Sequence, residues 1–264
     1  MTALRDDALA GKVVLVSGGT QGVGAAVAAC AARCGAEAVV VTGRRREAGE
    51  ALAETLRADG TAALFVPADV ADPTAAMGSV ARTIEAFGRV DGVVNAAGLT
   101  DRGSLLDTTP ELFDRQIAVN LRGPFFIMQA AVRDMLARDS SGSIVNVGSI
   151  SAHAGQSFLA PYVAAKGGLA ALTRNAAHAH RRDRIRINAL NIGWTATEGE
   201  DRTQRTFHAA DDTWLEQAGR AVPAGRLGDP DEIADMIVFL LSDASGLVTG
   251  SVIDWDQLVV GAVD

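Results

Sequence analysis

Lysine, tyrosine, cysteine and histidine are all scarce in this 264-residue chain, at two, one, two and four residues. Cys30 and Cys34 are too few to staple a chain of this length. At i and i+4 of an alanine-rich helical stretch they share a helix face, where disulfide geometry is poor, so they read as core packing. No carboxylate pattern completes a metal site around them or around His153, His178, His180 and His208, and no metal is expected. His178 and His180, beside Arg181 and Arg182, read as a solvated helix end, while His153 is a candidate for facing a substrate. Positive charge is also in deficit: 24 basic against 32 acidic residues leave a net charge of −8, which disfavours nucleic acid or an anionic membrane as the main partner. No run is long and apolar enough to span a bilayer, and residues 1–9 lack a basic segment followed by an apolar one. The expectation is a cytoplasmic protein whose partner is a small molecule.

Scarcity makes Lys166 informative. Almost every other basic position is arginine, and a solvated surface charge gains little from being lysine instead. The only tyrosine, Tyr162, precedes Lys166 by four residues, and Ser149 precedes Tyr162 by thirteen. On a helix, i and i+4 share a face, so phenol and ammonium can enter one pocket. A tyrosine titrates near pH ~10 unperturbed, and a neighbouring cation is expected to bring it toward neutrality. A phenol so placed is a proton donor or acceptor.

Hydrophobic residues make up 48% of the chain, enough for a substantial core, and nothing in its middle reads as a linker. Short β-branched runs at 13–16, 38–41, 62–66, 92–95, 143–147, 184–190 and 251–253 alternate with helical patterns at 23–33, 47–58, 73–87, 110–137, 162–180 and 231–241. Such alternation predicts an α/β fold: a doubly wound, Rossmann-like parallel sheet in three α/β/α layers, forming a single domain over residues 1–264. Residues 193–228 break the rhythm and are expected to be a substrate-side lid, with one or two short helices at 202–220.

After the first run comes Ser17-Gly18-Gly19-Thr20-Gln21-Gly22-Val23-Gly24, then a helix. Glycines let the backbone turn tightly toward a pyrophosphate, and the helix's free amides supply donors and partial positive charge. Placed in a βαβ unit, the turn points to a dinucleotide, although Gly18-x-x-x-Gly22-x-Gly24 is looser than G-x-G-x-x-G. Gly18, Thr20, Gln21, Gly22, Val23 and Gly24 are therefore candidate cofactor residues. The second run ends Val41-Thr42-Gly43-Arg44-Arg45-Arg46. Gly43 stands where NAD-preferring dinucleotide folds carry an acid for the ribose hydroxyls, and Arg44 supplies a cation suited to a 2′-phosphate. NADP is expected, with NAD possible.

With this turn, Asp69-Val70, Asn95-Ala96-Ala97-Gly98, Asn120, Ser149 and Tyr162-Val163-Ala164-Ala165-Lys166 in this order, essentially the whole chain resembles the short-chain dehydrogenase/reductase family. The resemblance implies hydride transfer between a nicotinamide and a secondary alcohol or ketone. It assigns Tyr162 as acid/base, Ser149 as hydrogen-bond partner of the reacting oxygen, Lys166 as holder of the nicotinamide ribose, and Asn120 as support for a water-mediated proton path to Lys166. It adds Asp69, Val70, Asn95, Ala96, Gly98, Gly193 and Thr197 to the cofactor residues and implies a homotetramer. Two departures stand out: Asn191-Ile192-Gly193 where the family has Asn-Pro-Gly, and Asp254-Trp255-Asp256-Gln257 where many members have Asp-Gly-Gly. The substrate side is expected from residues 150–159, 194–200 and the lid through 220, whose polar residues favour a hydroxylated, sugar-like substrate over a 3-oxoacyl chain. A dinucleotide sensor without catalysis, or epimerisation or dehydration on the same scaffold, are the other readings, distinguished by net cofactor turnover.

Overall fold

The computed structural model describes residues 5–153, 155–257 and 259–260. Its strands are β1 (Val13–Ser17), β2 (Ala38–Gly43), β3 (Ala62–Pro67), β4 (Gly92–Asn95), β5 (Gly142–Ser149), β6 (Ile185–Ile192) and β7 (Val252–Trp255). They form one parallel sheet ordered β3-β2-β1-β4-β5-β6-β7. The central strands are apolar on both faces because both are covered, as parallel sheets require. Val14, Val16, Val39 and Val41 pack on one side with α1 (Gly22–Arg33), α2 (Arg46–Ala58) and α9 (Pro230–Leu241). Leu15, Val40, Val93 and Ile144 pack on the other with α3 (Pro73–Phe87), α5 (Gly123–Ala137) and α6 (Ala160–His180). The thiols of Cys30 and Cys34 are buried, and burial raises the pKa of both.

Where elements differ from the expected bounds, a backbone donor explains most of it. Pro67 ends β3 without cost because β3 is an edge strand. Ile192 keeps the N–H that a proline would lack, and β6 runs on to pair Ile192 with Ser149, the last residue of β5. The helical stretch 110–137 is not uniform. It divides into α4 (Pro110–Ile117), a π-helical turn Ala118–Arg122, and α5. Pro124 has no N–H to offer the Asn120 carbonyl four residues back, so the regular ladder cannot pass this point. Gly123 lets the widened turn press on α3's approach, since a Cβ there would lie 2.3 Å from Val70 Cγ2.

The segment between β6 and α9 carries two helices, α7 (Glu198–His208) and α8 (Trp214–Ala221). No helix among the described residues is long and apolar enough to cross a membrane. β1 pairs with β2 on one side and β4 on the other, so the chain winds outward in both directions from this point. Beyond the carboxyl ends of those strands the sheet opens into a crevice.

Candidate active site

A cleft of about 480 Å³ lies in that crevice, running from Thr42, Gly43 and Arg44 past the glycine turn to Ser149, Tyr162 and Lys166. The turn is shaped for close approach. Gly18 has φ +78°, and a Cβ on it would stand 2.5 Å from Ala97, while one on Gly24 would stand 2.2 Å from the Gly18 carbonyl oxygen. Gln21 precedes α1 without its side chain capping it, so the amides of α1's first turn face the cleft with no side-chain partner. A bare cradle of amides with glycine walls fits a dinucleotide's pyrophosphate.

At the other end, α6 presents Tyr162 and Lys166 on one face, and Ser149 lies opposite at the tip of β5. Ser149 is close enough to the Tyr162 phenol to favour its charged form, and its Oγ accepts from the Ser151 amide at 3.1 Å. Lys166 is 4% exposed, and its Nζ donates to the Val147 carbonyl at 2.7 Å and lies 5.7 Å from the Tyr162 ring centroid. Burial lowers its pKa to about 8. The phenol departs from expectation: burial raises its pKa, outweighing the effect of Ser149, with Glu200 adding to the rise and Arg102 opposing it. The ammonium is itself desolvated and turned toward Val147, so it is not what sets the phenol.

The Asn120 side chain does not face Lys166. Its Oδ1 accepts from the Leu99 amide at 3.0 Å, and its Nδ2 donates to the Leu99 carbonyl at 2.9 Å and to Gln116 Oε1 at 2.7 Å. It is fully buried and braces the loop after β4. Asn95 also braces: its Nδ2 donates to Asn146 Oδ1 at 2.8 Å, tying β4 to β5.

Asp69, Val70, Ala96, Gly98, Gly193 and Thr197 all line the cleft, as do Thr20, Gln21, Gly22, Val23 and Gly24. Asp69 Oδ1 accepts from the Ala71 amide at 3.0 Å, holding the turn after β3. Gly193 is required by one of the departures, because a Cβ there would lie 2.7 Å from Asp256 Cβ. Asp254, which matches the family's aspartate, captures His153, whose Nε2 lies 2.8 and 3.0 Å from the Asp254 carboxylate oxygens, and His153 does not line the cleft. Burial works to raise the Asp254 carboxyl, but hydrogen bonds from His153 and Asn191 leave it below its usual range.

Several lining residues were not anticipated. Arg45 donates to the Thr20 carbonyl at 2.9 Å, adding a second guanidinium beside exposed Arg44. Leu99, Thr100, Asp101 and Arg115 form a wall that had been assigned to 150–159. Their position directly after Asn95-Ala96-Ala97-Gly98, at the strand end beside the winding reversal, was the available signal. Phe158 packs instead on His208 of α7, ring centroids 5.5 Å apart, and Arg102 sits 5.3 Å over Phe158 while its Nε donates to His208 Nε2 at 3.1 Å. Trp194 donates to Glu200 Oε1 and Trp214 to Asp201 Oδ1, both at 2.8 Å, fastening α7 to β6's exit and to α8.

Residues 18–257 match the family model described as enoyl-(acyl carrier protein) reductase. L-rhamnose 1-dehydrogenase (NAD(P)(+)) of Azotobacter vinelandii is 39% identical over 246 residues, covering 91% of this chain and 93% of the relative. The enzyme of the same name from Sphingomonas sp. is 36% identical over 244 residues, with 92% and 94% covered. Among solved structures, that of a candidate short-chain alcohol dehydrogenase from Sinorhizobium meliloti superposes with a TM-score of 0.85 at 32% identity, covering 94% of this chain and 96% of the other.

Proposed function

Since the chain belongs to the short-chain dehydrogenase/reductase family of NAD(P)-dependent oxidoreductases acting on CH–OH groups, we propose that it interconverts the alcohol and carbonyl of a polar, sugar-like substrate with NADP(H). In this reading residues 1–264 are one oxidoreductase domain with 193–228 as its substrate-side lid. The observation that carries the proposal is the convergence of Ser149, Tyr162 and buried Lys166 at the end of a cleft whose other end is a glycine cradle.

The α1 amides would hold the pyrophosphate, Arg44 and Arg45 a 2′-phosphate, Lys166 the nicotinamide ribose, and the backbone at Gly193 with Thr197 the nicotinamide end. When bound, the cofactor supplies or accepts the hydride. Tyr162, kept protonated by burial, donates its proton to a carbonyl oxygen in reduction and takes one back in oxidation. Ser149 orients the phenol and shares the substrate oxygen. Lys166, charged below about pH 8, would bond the ribose hydroxyls and so position the nicotinamide against Tyr162. Asn120 would support a water-mediated path that returns the proton through Lys166.

Two features support the sugar-like class. Both dehydrogenases described above are named for rhamnose. The cleft that holds Tyr162 is also lined by polar Thr100, Asp101, Arg115, Glu200 and Thr203, able to bond several hydroxyls. The family model's description favours an acyl-thioester substrate as the second reading. A screen of aldoses and polyols with the oxidised cofactors, against 3-oxoacyl thioesters with the reduced ones, separates the two. Aldose-dependent formation of NADPH is expected; turnover of thioesters alone would replace this reading with the second.

A further inference from the structure

We infer that Arg202, on α7, is a diphosphate clamp that closes over the dinucleotide from the side opposite the α1 amides. The inference rests on the cofactor reading above and adds a binding residue to it. Arg202 lines the cleft, and its Nη2 donates to Gln21 Oε1 at 2.7 Å, bridging from α7 to the residue that opens α1. The two helix starts are packed together: a Cβ on Gly199 would lie 3.7 Å from Gln21 Nε2, and one on Gly22 would lie 3.2 Å from Thr197 Cγ2. The guanidinium is thus held above the amide cradle.

Its charge is balanced only weakly, by the Asp201 carboxylate next to it in the chain. Among the described residues Arg202 forms no ion pair, whereas Arg205, one turn along, pairs with Asp201 at 3.0 Å and with Asp212 at 3.0 Å. Trp214 takes a further share of Asp201, and Trp194 and Gln204 both donate to Glu200. The first turn of α7 carries Glu198, Glu200 and Asp201, which would repel a diphosphate entering beside it. A cation is needed there, and Arg202 is the one in the cleft on that side. Its neutral partner, the Gln21 amide, is a weaker acceptor than a phosphate oxygen. Exchanging one for the other ties the lid to the bound dinucleotide.

Calorimetric titration of wild type, Arg202→Ala, Arg202→Lys and Arg44→Ala with NADPH, NADH and adenosine 2′-phosphate tests the clamp without relying on turnover. Arg202→Ala is expected to weaken NADPH and NADH alike, by roughly tenfold to a hundredfold, and to leave adenosine 2′-phosphate, which has no diphosphate, within about twofold. Arg202→Lys should recover part of the loss, and Arg44→Ala should affect only the two 2′-phosphorylated ligands. Unchanged dinucleotide binding in Arg202→Ala, or an equal loss for adenosine 2′-phosphate, overturns the clamp. A wild type that binds neither dinucleotide overturns the cofactor reading itself.

Discussion

Lys166 is buried, donates to one carbonyl and forms no ion pair among the described residues, so the fold holds its charge at a cost. Its pKa falls from 10.5 to about 8, and the unfolded chain therefore keeps this proton more tightly than the folded one. Below about pH 8 the destabilisation is fully present, and stability rises with pH between about 8 and 10.5 as the folded group becomes neutral. Lys166→Met should accordingly unfold at higher temperature than wild type at pH 7, by the equivalent of up to about 3 kcal/mol, with the gap closing toward pH 10.5 while turnover is lost. Thermal melts at both pH values check this; a variant less stable at pH 7 would mean the ammonium is well compensated. Tyr162 and Lys166 were legible in the sequence because each is rare. Arg45 and Arg202 were not, because arginine is the default basic residue of this chain and only the fold distinguishes those that face the cleft.

Among the elements, the π-helical turn Ala118–Arg122 is where helical periodicity misled, since 110–137 reads as one helix. The proline that marks it was visible at 124, but its effect depends on Val70 pressing on Gly123, a contact no local pattern reveals. Pro124→Ala restores a donor for the Asn120 carbonyl and should draw the turn toward regular α winding. The expected result is a fall in kcat of up to ~10²-fold with a largely unchanged melting temperature. Wild-type kcat would show that the turn positions nothing the reaction uses. The end of β2 makes a second test. An aspartate at Gly43 suits a ribose diol, yet its Cβ would lie 2.7 Å from Thr20 Cγ2, a conflict hidden from the sequence. Gly43→Asp combined with Thr20→Ala should therefore bind NADH more tightly than NADPH in direct titrations, and a retained preference for NADPH would place phosphate recognition elsewhere.

For the molecule as a whole, the alternation of strands and helices was readable because a parallel sheet covered on both faces demands apolar strands and intervening helices. The segment between β6 and α9 was readable only as an interruption, because the guanidinium contacts that dock α7, Arg102 to His208 and Arg202 to Gln21, join residues from distant parts of the chain. Phe113 and Phe125, on α4 and α5, are 44% and 40% exposed, and Leu105 and Leu106 nearby are almost fully so. These exposed apolar side chains, with Val259 and Val260, suit the subunit contacts of the homotetramer that the family resemblance implies; Leu258, between Gln257 and Val259, lies outside the described residues. Light scattering at micromolar concentration should give the mass of four copies, and a monomer mass would refute the assembly. The central claim, that Tyr162 moves the proton in an NADP(H)-dependent redox reaction, is tested most directly by comparing wild type and Tyr162→Phe. NADPH formation from aldoses such as L-rhamnose would be measured alongside NADPH affinity. The account predicts a loss of kcat of at least ~10²-fold with cofactor affinity within about twofold, since only the hydroxyl is removed. A variant that keeps most of its kcat would contradict it.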